Sequence, residues 1–371
     1  MKNLFDMGVG ESLLQVMGSQ EKMVKGIETL MNVDYSGYNQ TPKELVFQMD
    51  KMKLYHYKPR VENTTKTPLI VVYALVNKEY MMDIQPDKSM MRKLLEGGID
   101  VYIVDWGYPT ADDRYLTLGD YINGYIDEAV EFVRRDRNVD KVNIMGICQG
   151  GTFSFIYTAT HQEKVKNLVS LVTPIDFDQD DGLLFKWGPY LNADKMVEAF
   201  GNVPGDFMNA GFVFLKPYDL MIDKYIGVID TLDDEEKLAN FLRMEQWIFD
   251  SPDQAGEAYR EFQNEMYHKN NLVKGEFYLE GERVDLKNVT CPVLVMLGTK
   301  DNQVPPSATR PIPDVIGSKD CELVEINTGH IGLFVSGRSQ REVSPKIIEF
   351  LTKRDRKSTR LNSSHRNISY A

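Results

Sequence analysis

The 371-residue chain holds three cysteines, Cys148, Cys291 and Cys321, and five histidines. Three is an odd number without framework spacing, so no disulfide scaffold is expected, and such usage suits a reducing compartment. Neither HExxH nor a Cys-x-x-Cys pair occurs, which leaves a metal site without its usual ligand spacing. A Gly-x-x-x-x-Gly-Lys phosphate loop is missing too, and Gly8-Val9-Gly10 follows no strand, so it reads as helix-entry flexibility. No apolar run reaches the roughly 18 residues needed to span a bilayer. Met1-Lys2-Asn3-Leu4-Phe5-Asp6 has no signal-peptide architecture, so a cytosolic location is expected. Basic residues are outnumbered, 43 Lys and Arg against 55 Asp and Glu, for a net charge of −12. Nucleic acid, which demands a basic face, is therefore excluded as a partner.

What is present is an ordinary globular composition, 42% hydrophobic and 26% charged, enough to bury a large core in one or two domains. Apolar strands at about Leu69–Tyr73, Val101–Asp105, Val142–Met145 and Asn167–Leu171 alternate with helical patterns such as Ile122, Tyr125, Ile126, Ala129, Val130, Val133. That alternation predicts an α/β fold, a mostly parallel sheet covered by helices on both faces. After Thr173-Pro174 it stops for about a hundred residues, then resumes with Val293–Leu297, Glu322–Ile326 and the helix Val343–Leu351. Thr41-Pro42-Lys43-Glu44 predicts a helix start, with Thr at the N-cap, Pro at N1 and Glu at N3. A further amphipathic stripe, Leu13, Val16, Met17, Met23, Val24, Ile27, Leu30 and Met31, predicts a helix that packs on the core, a partner or a surface.

Gly146-Ile147-Cys148-Gln149-Gly150-Gly151 carries the most chemistry. An apolar strand precedes it and the helical Thr152-Phe153-Ser154-Phe155-Ile156-Tyr157 follows, which is the shape of a nucleophile elbow with cysteine in the nucleophile's place. The glycines give the turn its backbone freedom, and the helix N-terminus beneath the sulfur favours negative charge there. Elbow enzymes order their partners nucleophile, acid, histidine. His330, in Asn327-Thr328-Gly329-His330-Ile331-Gly332, and Asp301, in Gly298-Thr299-Lys300-Asp301-Asn302, both follow apolar strands in that order. His56, His161 and His268 read as strand-face, helix-end and loop residues, and Cys291 and Cys321 as packing residues at strand starts. Elbow geometry places one oxyanion donor on the backbone of Gln149 and the other near Val76 or Asn77, after the first core strand.

The chain resembles the polyhydroxyalkanoate synthases, and specifically the catalytic subunit of the two-subunit class III enzymes, from about Thr41 to about Phe350. The resemblance rests on Gly146–Gly151, on Tyr73-Ala74-Leu75-Val76-Asn77-Lys78, on Asp105-Trp106-Gly107-Tyr108-Pro109, on the stretch from Phe241 to Glu257 and on Gly329-His330-Ile331-Gly332. Gln149 after the nucleophile is similar to class III, where the Bacillus-type class has methionine. The resemblance implies an α/β-hydrolase fold and a Cys148–His330–Asp301 triad acting on (R)-3-hydroxyacyl-coenzyme A without a resident cofactor, coenzyme A being the leaving group. It also implies a growing polyester chain, a second synthase subunit, a dimer or higher oligomer, and a place at the surface of polyester granules. A hydrolase or thioesterase with the same triad, and a non-catalytic granule-associated role, remain open readings of the residues.

The expected organisation is an N-terminal helical segment (1–40), a hydrolase core in two parts (41–175 and 288–353), and an inserted cap (176–287) rich in aromatic and acidic residues. The stripe Phe241, Leu242, Met244, Glu245, Trp247, Ile248 reads as cap core. From 354 to 371 a disordered or foreign tail is expected, because Lys357–Ala371 turns abruptly Ser- and Asn-rich.

Overall fold

The computed structural model describes residues 33–36, 41–62, 64–215, 232 and 234–366, with side chains to 355. Eight strands form the main sheet: β1 (Lys43–Met49), β2 (Met52–Tyr57), β3 (Leu69–Val72), β4 (Val101–Asp105), β5 (Val142–Ile147), β6 (Val165–Leu171), β9 (Val293–Gly298) and β10 (Cys321–Ile326). A small hairpin, β7 (Tyr278–Leu279) with β8 (Glu282–Arg283), lies between the last two and the rest. The sheet order is β1-β2-β4-β3-β5-β6-β9-β10. β1 and β2 run antiparallel and the pairs from β4 to β10 are parallel, as the strand–helix alternation requires.

Successive side chains of one strand point to opposite faces, and here both faces are dry. Ile70, Val72, Tyr102, Val104, Ile144 and Val293 belong to one buried cluster. Leu69, Val71, Val101, Ile103, Met145 and Leu294 belong to the other. This is why the core strands read as continuous apolar runs.

Thr41-Pro42-Lys43-Glu44 starts no helix; Lys43–Met49 is β1, paired with β2 in the register Lys43↔Tyr57 to Met49↔Met52. The Thr41 hydroxyl and amide, instead of capping a helix, bind the buried Asp83 carboxylate at 2.7 and 3.0 Å. The tail does not begin at 354 either, because the last helix runs from Ser344 to Arg366. Arg354 pairs with Asp320 at 2.7 Å, and Asp355 accepts the Thr67 hydroxyl at 3.0 Å, so both belong to the packed body. The stripe over residues 13–31 lies outside the described residues.

Between β6 and β9 the described residues include helices at Leu183–Trp187, Ala193–Phe200, Gly205–Leu215, Glu235–Phe249 and Gly256–Phe262. Trp247 differs from its reading as cap core. It is 6% exposed and packs into the same cluster as Val71, Met145 and Met296 of the main sheet.

Candidate active site

β5 ends at Ile147 and the helix Gln149–Thr160 starts at once, so Cys148 alone makes the turn, at φ 53° and ψ −123°. A side-chain-bearing residue holds that conformation only where its surroundings enforce it. The flanking glycines do so by letting chains approach. A Cβ on Gly150 would strike the Tyr73 carbonyl, and one on Gly151 would strike the Thr173 side chain.

Cys148 lines a cavity of about 200 Å³ together with Tyr73, Val76, Asn77, Gln149 and His330 from the sheet side. Trp187, Phe207, Phe212, Trp247 and Tyr267 close it from the inserted helices. His330, carried by the loop after β10, presents Nδ1 to Asp301 Oδ2 at 2.7 Å. The other Asp301 oxygen accepts the amides of Gln303 and Val304, each at 2.9 Å, and the carboxylate is 1% exposed. With both oxygens engaged, the carboxylate fixes the ring and its tautomer, leaving Nε2 for the thiol. Burial alone would lower the basicity of His330, but the Asp301 carboxylate and then the Cys148 sulfur raise its pKa to about 10. His330 is thus a strong acceptor for the cysteine's proton.

Gln149, 8% exposed, uses its side-chain Oε1 to accept the Leu75 amide at 3.1 Å. That occupies the Leu75 amide, three residues past the β3 carboxyl end. Among the described residues, the amides of Gln149, Val76 and Asn77 have no hydrogen-bond acceptor, and all three residues border the cavity. The one signal for the Gln149 side-chain bond in the sequence is a polar residue at an otherwise buried helix start.

The other candidates have structural partners. His56 meets Asp100 at 2.8 Å, His161 stacks on Tyr157 and His268 bonds the Leu191 carbonyl at 2.8 Å. Burial pushes the Cys291 thiol up to about 12 and the Cys321 thiol to about 11, which makes both poor nucleophiles. Among the described residues no His, Cys, Asp and Glu cluster could hold a metal ion, and no helix is long and apolar enough to cross a membrane.

The family model for the alpha/beta hydrolase fold matches residues 67–336, and the model for the N-terminus of poly-beta-hydroxybutyrate polymerase matches residues 14–94. A poly(3-hydroxyalkanoate) polymerase subunit PhaC from Allochromatium vinosum is 46% identical, covering 92% of this chain and 96% of its own length. The Synechocystis protein of the same name is 44% identical over 94% of each. Among solved structures, a Paleococcus ferrophilus monoacylglycerol lipase has a TM-score of 0.52 at 15% identity, covering 81% of this chain and 99% of its own. A Burkholderia xenovorans enol-lactonase has 0.51 at 16%, covering 84% and 100%. Those two speak for the fold alone. With relatives at that identity over nearly the whole length, the chain belongs to the poly(3-hydroxyalkanoate) polymerase PhaC family of α/β-hydrolase-fold proteins, and its function is polyhydroxyalkanoate synthesis.

Proposed function

We propose that the chain polymerises (R)-3-hydroxyacyl groups from coenzyme A through an acyl-Cys148 intermediate, as a class III-type catalytic subunit. His330 takes the Cys148 proton, Sγ attacks the thioester carbonyl, and the oxyanion is held by the amides of Gln149 and of Val76 or Asn77. The tetrahedral intermediate collapses, the carbon–sulfur bond to coenzyme A breaks, and the departing thiolate takes the proton from His330. His330 then accepts the proton of a 3-hydroxyl, whose oxygen attacks the acyl-cysteine. A new ester forms and Cys148 Sγ leaves. Exchanging one thioester for another keeps the acyl group activated for ester formation.

One observation carries this reading: a cysteine in elbow geometry shares a helix-covered cavity with a histidine anchored on a buried aspartate. The cover matters because water at the acyl-cysteine would give free acid, the hydrolase outcome. A second synthase subunit, a dimer or higher oligomer and the granule surface are the partners and setting this reading supplies. The test is to incubate purified C148A and the unaltered protein with 3-hydroxybutyryl-coenzyme A, following thiol release, polymer and free acid. Thiol release and polymer from the unaltered protein only are expected. Substantial turnover by a folded C148A would remove Cys148 from its role, and free acid without polymer would make the chain a thioesterase.

A further inference from the structure

The segment Tyr73–Lys78 leaves β3 and reaches the short helical turn Glu79–Asp83 only by bending at Asn77, whose φ is 58°. Asparagine adopts that left-handed conformation readily, and the direction in which the loop leaves the bend is set by its side-chain contacts. Four side-chain bonds hold the segment, one of them from the Trp106 indole N–H to the Tyr73 carbonyl at 2.9 Å. Gln149 Oε1 accepts the Leu75 amide at 3.1 Å, Asn77 Nδ2 donates to the Ile248 carbonyl at 3.4 Å, and the Trp247 indole N–H donates to the Lys78 carbonyl at 2.7 Å. The Lys78 side chain is itself fixed in a buried ion pair with Asp105. Two of the four holds therefore come from the end of the helix Glu235–Phe249, and the shorter of those is the Trp247 indole bond.

We propose that the Trp247 indole N–H positions the Val76 amide for the oxyanion, so that the helices over the site set the rate of the chemistry as well as covering it. This rests on the reading of Val76 as an oxyanion donor. Trp247 lines the cavity, and its N–H is engaged by the Lys78 carbonyl of the loop backbone. Its contribution is to the transition state, because the donor must lie where the oxyanion develops and not where the ground-state carbonyl sits.

The variant is W247F, which keeps an aromatic ring and removes the donor, studied in the full chain and in its active assembly. Two quantities are read: kcat for coenzyme A release, and the dissociation constant of a thioether analogue of 3-hydroxybutyryl-coenzyme A in which a methylene separates sulfur from carbonyl. The expected result is a folded protein whose kcat falls by about 10- to 100-fold while analogue binding changes by less than about twofold. A smaller fall in kcat, or a loss confined to analogue binding, overturns the proposal. If W247F does not fold, 3-benzothienylalanine placed at 247 keeps the bicycle without the N–H, and the same two criteria decide. A separate arm replaces Val76 by its α-hydroxy acid, exchanging the amide N–H for an ester oxygen. Unchanged kcat there removes Val76 as a donor whatever Trp247 does. Slowed turnover there beside a W247F at full rate leaves the donor standing and overturns the role of Trp247 alone.

Discussion

At the scale of single residues, the decisive group is His330. It sits between a carboxylate and a sulfur, and its folded pKa of about 10 lies above its ordinary 6.5. A raised value means that the folded protein holds the proton more tightly than the unfolded chain. The contribution is fully present below about 6.5 and is lost as the pH rises through about 10. The melting temperature should therefore fall more steeply over that range for the unaltered protein than for H330Q. Parallel curves would show that His330 has no raised basicity. D301N keeps the shape of the side chain but removes the charge that orients the ring. Turnover should drop by about 100-fold or more in a protein that stays folded, measured as thiol release. Near-full activity of D301N would take Asp301 out of the site. These residues were legible because an elbow imposes a chain order, which leaves few histidines and aspartates to choose from. The Gln149–Leu75 bond was not, since it joins positions 74 apart through a side chain that any helix start could carry.

Among the elements, the parallel strands were readable because both their faces are buried, and β1 was not. Thr41 and Pro42 obey the local rules for a helix start, yet pairing with β2 and the Asp83 carboxylate outweigh them. Local capping is worth about 1 kcal/mol, less than a strand's full set of ladder bonds. T41V removes the hydroxyl donor from a buried carboxylate that also receives the Ser89 hydroxyl. It should cost about 1–3 kcal/mol in urea unfolding. A loss within error would mean that Asp83 is satisfied without Thr41. The helix Glu235–Phe249 ends on Asp250, which accepts the Tyr108 hydroxyl at 2.6 Å and the Tyr80 hydroxyl at 2.9 Å. D250A frees that end from the sheet side, so the ratio of free 3-hydroxy acid to polymer should rise at complete substrate consumption. An unchanged ratio in a protein with a clearly lowered melting temperature would mean that this helix does not exclude water.

For the whole molecule, the alternation of strands and helices announced the layers, but the sheet order and the antiparallel edge at β1 and β2 depend on pairings that no local pattern encodes. The site likewise exists only when β3, β5, β9 and β10 bring their carboxyl ends together beneath helices from the middle of the chain. Class III resemblance leads to the expectation that the isolated chain at about nanomolar concentration shows a lag or low specific activity, relieved by the second subunit. Full activity without a lag would show that no partner is needed. The most direct measurement is rapid acid quenching after mixing with 3-hydroxybutyryl-coenzyme A, followed by mass analysis of the peptide that contains Cys148. The expected spectrum carries one or more hydroxybutyryl units on that cysteine, appearing with coenzyme A release and absent from C148A. An acyl group found on another residue, or coenzyme A released with Cys148 unmodified at every quench time, would contradict covalent catalysis by this cysteine.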